Sequence, residues 1–302
     1  MIDEHSVGAR RVGVVGIGNM GLAMAMRLMD RGWSVGVCDI DPAQVAAAQA
    51  YGAAAHADAQ ALAEFSPVLI VAVVDAAQTR TVLLGGRGAV HALPRGATVL
   101  LCPTLAPTDV ETLARTLAGR GYRTIDAPMS GGPVRARDGT MSLMVACADD
   151  TFEHWHGLLT DLSSHLFRIG PHPGDGARTK LVNNLLAAVN LVGAAEAMIL
   201  AQRLGLDPRM TLDVIEQSSG QSWIGVERLR RVIEAGLGTE LAVRAHMSLL
   251  AKDSALALAA ARDAGFAPAL GSGAAAVFAA ACAQGLAQAD DATLCQWLAQ
   301  QR

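Results

Sequence analysis

A glycine-rich turn near the start of the chain constrains the fold more than any other segment. The β-branched run at residues 12–15 reads as a buried strand, and a G-x-G-x-x-G segment follows it and opens an alanine-rich helical stretch. There the first glycine permits a tight turn, the second lets backbone approach a pyrophosphate, and the third lets the helix pack on the strand. The helix N-terminus then presents free N–H groups to the phosphates. The pattern predicts a dinucleotide site formed by Gly16, Ile17, Gly18, Asn19, Met20 and Gly21.

Short β-branched runs alternate with helical stretches from residue 11 to about residue 170, as in parallel βαβ units. The predicted strands are residues 12–15, 34–38, 68–73, 98–101, 123–127, 141–145 and 166–169. From residue 176 onward the pattern is helical. The predicted helices there are residues 176–204, 211–218, 226–234, 244–264, 273–284 and 291–300. The sequence predicts an α/β fold: an N-terminal Rossmann domain with a mostly parallel sheet, a long helix, and an all-helical C-terminal domain.

The change of pattern marks a domain boundary. The segment at this boundary consists of Gly170, Pro171, His172, Pro173 and Gly174, a combination that interrupts regular structure. A chain of 302 residues is also long for one hydrophobic core, since cores stop growing at roughly 250 to 300 residues. We therefore expect an NAD-binding domain over residues 1–172 and a helical substrate and oligomerisation domain over residues 173–302.

The composition argues against several classes of protein. Hydrophobic residues make up 52% of the chain and charged residues 17%, which suits a folded core rather than a disordered chain. The net charge is −4 without a basic stripe, so nucleic acid is not an expected partner. The eight histidines and five cysteines show no metal-ligand spacing, and no G-x-S-x-G turn is present. We expect neither a metal site nor a hydrolase.

The expected location is the cytoplasm. The first ten residues are polar and show no signal-peptide pattern, and the scattered cysteines suit a reducing compartment. The stretch from residue 264 to 289 is uncharged but is interrupted by proline and glycine. We interpret it as a buried helix and expect no membrane span.

A carboxylate ends the second predicted strand. Asp39 stands 18 residues after Gly21, where it would accept hydrogen bonds from the adenosine ribose and repel a 2′-phosphate. No arginine follows closely, so the sequence predicts NAD rather than NADP. Asp41 precedes Pro42 and a helix, and we expect it to be an N-cap.

A second glycine turn follows the predicted strand that ends at Asp126 and Ala127. Ser130, Gly131 and Gly132 would offer a hydroxyl and several backbone N–H groups to a carboxylate at the edge where α/β sheets bind ligands. A plain tight turn is the alternative for this segment taken alone.

Two lysines occur in polar groups within apolar helices. Lys180 and Asn184 are four residues apart and share a helix face, with Asn183 beside them. Such groups are costly in a buried helix unless they meet polar partners, which favours a site over surface exposure. Lys252 and Asp253 form a similar group in a later helix, although taken alone an ordinary exposed pair is the simpler interpretation.

Four motifs occur in this order: the glycine turn at residues 16–21, the segment at residues 126–132, Lys180 with Asn183 and Asn184, and the pair Lys252 and Asp253. Together they resemble the β-hydroxyacid dehydrogenase family, and the resemblance extends from residue 12 to the C-terminus. That family includes 3-hydroxyisobutyrate dehydrogenase, tartronate semialdehyde reductase and L-threonate dehydrogenase. The resemblance implies a long interdomain helix and a helical domain used in oligomerisation, so a homodimer or homotetramer is expected. It also implies roles for site residues. Ser130, Gly131 and Gly132 would hold the substrate carboxylate, and Asn183 would contribute to substrate binding. Lys180 would be catalytic, together with Asn184, which would orient the substrate. Lys252 and Asp253 would close the site beside substrate and nicotinamide, with Lys252 also contacting the cofactor, and Thr104 would lie near the nicotinamide ribose.

Two segments depart from the family pattern. Leu101-Cys102-Pro103 stands where Asp-x-Ser is common, and Ala146-Cys147 stands where Gly-Gly is usual. Both bear on cofactor contacts rather than on the lysine. Residues 74–79 and 131–134 look most like the branch that acts on threonate and similar sugar acids.

The resemblance implies hydride transfer between NAD and a small hydroxy acid, such as 3-hydroxyisobutyrate, glycerate or threonate, with Lys180 as general acid and base. Burial and a second cation such as Lys252 would favour the neutral amine that this role needs. Two alternatives stay open: an imine reductase, a class that usually lacks the lysine, and a catalytically silent NAD-binding interaction protein. A 6-phosphogluconate dehydrogenase is disfavoured, because its larger helical domain does not fit after residue 176.

Overall fold

The computed structural model describes residues 10–236 and 241–301. The chain divides into two compact units, Met1–Lys180 and Leu181–Arg302. The division falls inside a helix, whereas the predicted domain boundary at residues 172 and 173 lies in the turn before that helix. Residues 1–9, most of the segment in which we found no signal-peptide pattern, lie outside the described residues.

A nine-stranded sheet forms the centre of the first unit. Its strands are β1 (Arg11–Val15), β2 (Ser34–Cys38), β3 (Ala54–Ala55), β4 (Val68–Val71), β5 (Thr98–Leu101), β6 (Arg123–Asp126), β7 (Met129–Ser130), β8 (Ser142–Ala146) and β9 (His165–Gly170). The order is β3-β2-β1-β4-β5-β6-β8-β7, with β9 on β8. Strands β1 to β6 pair with one another in parallel, while β8 is antiparallel to β6 and β7 and parallel to β9. The predicted mostly parallel Rossmann sheet is confirmed.

Helices cover both faces of this sheet, which explains why its central strands β1, β4 and β5 are largely apolar. They are α1 (Asn19–Asp30), α2 (Pro42–Tyr51), α3 (Ala59–Phe65), α4 (Ala76–Leu84), α5 (Pro107–Ala118), α6 (Gly132–Asp138) and α7 (Asp149–Leu162). Alternate residues of a strand point to opposite faces. Val14 accordingly belongs to one buried cluster and Val15 to the other.

The second unit consists of helices. The long helix α8 (Asp175–Arg203) crosses from the first unit and is followed by α9 (Pro208–Glu216), α10 (Trp223–Ala235), α11 (Met247–Asp263), α12 (Ala269–Ala281) and α13 (Leu294–Gln300). Phe278 and Met247 are fully buried in its core, where Leu191 of α8 also packs. The predicted all-helical C-terminal part is confirmed.

Some boundaries differ from the prediction for identifiable reasons. Helix α11 begins at Met247 rather than at residue 244, because the Asp290 carboxylate accepts the backbone N–H of Arg244 at 2.7 Å and holds that segment outside the helix. Near the end of the predicted helix at residues 273–284, Gly285 has φ +94° and a kink follows α12. Strands β3 and β7, of two residues each, were not predicted.

Two helical segments, Asp175–Arg203 and Ala269–Leu286, are long and apolar enough to cross a membrane by length and composition. Core helices of soluble proteins pass the same test. The most apolar window of Asp175–Arg203 is 39% buried within the protein. The expectation of no membrane span therefore stays a prediction.

Candidate functional site

The glycine turn after β1 has the geometry that a dinucleotide requires. Gly16 has φ +81°, a conformation that favours glycine, and α1 begins directly after Gly18. A Cβ on Gly21 would lie 1.9 Å from the carbonyl oxygen of Gly16, so only glycine lets the helix pack here. A Cβ on Gly18 would meet no atom within 4 Å, which leaves open space where a pyrophosphate would approach. The residues present therefore fit a nicotinamide dinucleotide.

Asp39 lies at the end of β2 and belongs to the same turn. Its Oδ2 accepts the Ile17 N–H at 2.6 Å, and its Oδ1 accepts the Asp41 N–H at 2.9 Å. The carboxylate thus connects the two strand ends between which an adenosine ribose would sit. The predicted N-cap is confirmed, since Asp41 accepts the N–H of Ala43 at 2.9 Å as α2 begins.

The ends of the central strands meet at one edge of the sheet. The N–H of Ala72 donates to Val15, that of Cys102 to Val71 and that of Ala127 to Leu101, so these chains leave the sheet side by side. Thr104 follows β5 at this edge and is partly exposed. Open α/β sheets bind ligands at this edge.

The second glycine turn also lies beyond this edge. Ser130 ends β7 and pairs with Ser142 of β8. Gly131 and Gly132 follow with φ of +129° and +75°, so both positions favour glycine, and α6 begins there. Ser130 and both glycines are partly exposed, as a turn that holds an anion must be.

Lys180 is buried in the second turn of α8, with a relative exposure of 7%. The start of that helix is held by Asp126, the last residue of β6, whose Oδ2 accepts the N–H groups of Gly174 at 2.8 Å and Ala177 at 3.0 Å. Burial raises the pKa of the Asp126 carboxyl to about 6, although hydrogen bonds from Ala177, Gly174 and Gly176 act in the opposite direction. From the sequence, Asp126 was identified only as the end of the predicted strand that precedes the second glycine turn, and this contact was missed.

A connected polar network lies in the second unit. Asn184 of α8 is buried, and its Nδ2 donates to Asp253 Oδ2 at 2.6 Å. Lys252 Nζ lies 2.8 Å from Asp253 Oδ1, and Asn183 Nδ2 donates to Asn184 Oδ1 at 3.1 Å. The structure thus brings together four residues predicted separately from two helices. Because a carboxylate only accepts hydrogen bonds, the contact with Asp253 fixes which way the Asn184 amide faces.

Other reactive side chains are poor candidates for chemistry. Burial raises the pKa of the Cys102 thiol to about 12 and that of Cys147 to about 11. A buried thiol of this kind is inert as a nucleophile. Within residues 10–236 and 241–301, no three His, Cys, Asp or Glu side chains are grouped to hold a metal ion.

The chain matches two family models that together cover nearly all of it. The first, described as the NAD binding domain of 6-phosphogluconate dehydrogenase, matches residues 11–170. The second, described as NAD-binding of NADP-dependent 3-hydroxyisobutyrate dehydrogenase, matches residues 174–298. Both descriptions indicate a nicotinamide cofactor.

Known proteins resemble the chain over most of its length. The L-threonate dehydrogenase of Cupriavidus necator is 34% identical over 258 residues, which is 85% of this chain and 86% of that protein. The 2-(hydroxymethyl)glutarate dehydrogenase of Eubacterium barkeri is 32% identical over 84% of this chain and 83% of its own length. The crystal structure of 3-hydroxyisobutyrate dehydrogenase from Salmonella typhimurium superposes with a TM-score of 0.88 at 32% identity, covering 95% of this chain and 99% of that one.

Proposed function

Because this chain belongs to the β-hydroxyacid dehydrogenase family, we propose that it oxidises a small hydroxy acid with NAD and that Lys180 transfers the proton. Membership of the family makes the chain a nicotinamide-dependent dehydrogenase. The choice of NAD, the substrate and the role of Lys180 are the parts that we propose.

The main support for proton transfer by Lys180 is the rarity of lysine in this chain. Lys180 and Lys252 are the only lysines among 24 basic residues, and the other 22 are arginine. Arginine serves as well or better wherever a fixed positive charge is needed, but it does not lose its proton in proteins. Lysine thus occurs only at two positions, both within the motifs, and Lys180 is the buried one. That usage supports a role in which an amine must gain and lose a proton.

Each group then has a distinct task in the reaction. When bound, the nicotinamide ring accepts the hydride from the substrate carbon. Lys180 Nζ, as a neutral amine, takes the proton of the hydroxyl group while the carbonyl forms, and as an ammonium it returns that proton in the reverse reaction. Asn184 has one amide N–H on Asp253 and a second that would donate to the reacting oxygen. Gly16, Gly18 and Gly21 would hold the pyrophosphate, and Thr104 would lie near the nicotinamide ribose.

A substrate panel tests the proposal. The purified protein is mixed with NAD and with L-threonate, 3-hydroxyisobutyrate, glycerate or L-serine, and formation of reduced nicotinamide is followed. We expect turnover with at least one of these acids, with L-threonate favoured because relatives such as the Cupriavidus necator enzyme carry that name. Binding of NAD without turnover of any of them would instead support the silent binding protein. Oxidation of amines but of none of the acids would support an imine reductase.

We expect the substrate to need a carboxylate, held by Ser130 and the two glycines that follow. Ser130→Ala removes one hydrogen bond to a charged group, which is worth roughly 1.5 to 3 kcal/mol, so kcat/KM should fall by about tenfold to a hundredfold. The amide analogue of the substrate is the control, since wild type and variant should differ far less with it. Equal losses with both compounds would remove the carboxylate from this turn.

We expect NAD to be preferred over NADP because of Asp39. Asp39→Asn keeps an oxygen for the Ile17 N–H and removes the charge that would face a 2′-phosphate. The ratio of kcat/KM for NAD to that for NADP should therefore fall by about tenfold, which corresponds to about 1.4 kcal/mol. Asp41→Asn removes an equal charge two residues away, preserves the helix cap, and should change the ratio much less. An unchanged ratio in Asp39→Asn would show that another residue sets the preference.

An exposed apolar stripe on α8 supports the proposed homo-oligomer. Val182, Leu186 and Leu200 are between 58% and 71% exposed, and their spacings of 4 and 14 residues place them on one side of the helix. A second copy of the chain would remove this surface from water. Light scattering distinguishes a dimer or tetramer from a monomer, and a monomer at micromolar concentration would contradict the proposal.

A further inference from the structure

The carboxylate of Asp126 lies between the sheet and the start of α8. Asp126 ends β6 and is 1% exposed. Its Oδ2 accepts the N–H of Gly174, the residue before the helix, at 2.8 Å and that of Ala177, in its first turn, at 3.0 Å. A negative group here also interacts favourably with the positive end of the helix dipole. Asp126 therefore acts as the cap of a 29-residue helix across 48 residues of sequence.

The contact is tight enough to fix the position of the helix. A Cβ on Gly176 would lie 2.8 Å from the carbonyl oxygen of Met144 and 3.0 Å from Asp126 Oδ2. The helix backbone therefore lies directly against the strand and the carboxylate. Gly176 and Lys180 are four residues apart and share a face of α8, so the side that contacts Asp126 is the side that carries the lysine.

We propose that Asp126 is a positioning residue for the reaction, because its carboxylate sets the depth and rotation of the first turn of α8 and thereby the place of Lys180 Nζ. This inference rests on the proposed role of Lys180. Ala177 precedes Lys180 by three residues, about 4.5 Å along the helix axis, so a displacement of the first turn reaches the amine almost undiminished. A misplacement of about 1 Å in a reacting group can cost about a hundredfold in rate.

A second contact to the first turn of α8, made by Arg178, provides a matched control. Arg178 is 53% exposed and forms ion pairs with Glu111 of α5 and, at 2.9 Å, with Asp175. Exposed pairs of this kind contribute little, because water and salt screen them. Glu111→Gln therefore removes a carboxylate that contacts the same helical turn from solvent, whereas changes at Asp126 act on buried backbone groups.

The experiment compares Asp126→Ala, Asp126→Asn, Glu111→Gln and Lys180→Ala in the whole chain. We expect Asp126→Ala to lower kcat by about a hundredfold while NAD affinity changes by less than about threefold. Asp126→Asn keeps one acceptor oxygen and should recover kcat to within about tenfold of the wild type. Glu111→Gln should stay within about twofold of the wild type. Hydrogen exchange of the peptide covering residues 171–180 should be faster in Asp126→Ala but not in Glu111→Gln.

A double variant separates this inference from the proposed function. If Asp126 acts through the lysine, Asp126→Ala should cause little further loss when Lys180 is already alanine. An inactive Lys180→Ala beside an Asp126→Ala variant with wild-type kcat would overturn the positioning role alone. Near-normal turnover in Lys180→Ala would instead overturn the proposed function. If Asp126→Ala does not fold, Gly176→Ala pushes on the same carboxylate and must lower kcat and speed exchange, and an unchanged kcat there overturns the inference.

Discussion

Gly21→Ala is expected to weaken NAD binding by at least about a hundredfold and to destabilise the first unit. The added Cβ would lie 1.9 Å from the carbonyl oxygen of Gly16, and that atom belongs to backbone that cannot rotate away. Overpacking of this kind costs roughly 1 to 3 kcal/mol or more, because α1 must move off the strand. Any such movement also displaces the N–H groups that would hold the pyrophosphate. Thermal unfolding and titration with NAD measure the two effects separately.

Two other glycines serve as controls for this prediction. Gly18→Ala places its Cβ in open space at φ −63°, so stability should be nearly unchanged while NAD affinity falls, because the methyl group occupies the space that the pyrophosphate needs. Gly157 lies in α7, where an added Cβ would meet no atom within 4 Å, and Gly157→Ala should leave NAD affinity unchanged. Wild-type binding by Gly18→Ala would mean that this turn does not face the pyrophosphate.

Local patterns in the sequence were sufficient for most elements of the fold. Strands β2 and β5 occupy the predicted residues, because buried β-branched runs with turn residues on both sides have a distinctive composition. Strand β3 has only two residues, both alanine and both exposed, so neither alternation nor composition distinguishes it from a loop. The start of α11 depends on Asp290, which is distant in sequence and forms no pattern with the residues that it holds.

The candidate site is predictable to the same extent: features local to one turn are recognisable in the sequence, whereas contacts between distant residues are not. Gly16 and Gly21 were identified from the sequence because the requirement for glycine is local to one turn. The pairing of Asn184 with Asp253 spans 69 residues, and the contact of Asp126 with Gly174 spans 48, so only the fold reveals them. One informative observation was available in the sequence and was missed: the chain contains two lysines, and both lie in the motifs assigned to the site.

The second large effect is expected at Lys180. Proton transfer by a positioned group contributes about a hundredfold to ten thousandfold in rate, so Lys180→Ala should lower kcat by that order and leave NAD affinity nearly unchanged. Lys180→Arg should be almost as inactive, since a guanidinium keeps its charge but does not release its proton. Asn184→Ala should have a smaller effect, because the amide orients the reacting oxygen and carries no proton.

Thr179→Ala is a matched control for the helix itself. Its hydroxyl donates to the Asp175 carbonyl at 2.9 Å within α8, so the substitution perturbs the same turn without touching the amine. We expect its kcat to lie within about twofold of the wild type, because the substitution removes one partly buried hydrogen bond within the helix, worth about 1 kcal/mol of stability, and leaves the amine in place.

The most direct test of proton transfer by Lys180 is the kcat of Lys180→Ala on the best acid of the panel, measured alongside NAD titration of the same sample. We expect a protein that binds NAD like the wild type and turns over at least about a hundredfold more slowly. A Lys180→Ala variant that keeps near-normal turnover would contradict the proposed mechanism, even with the fold and the cofactor unchanged.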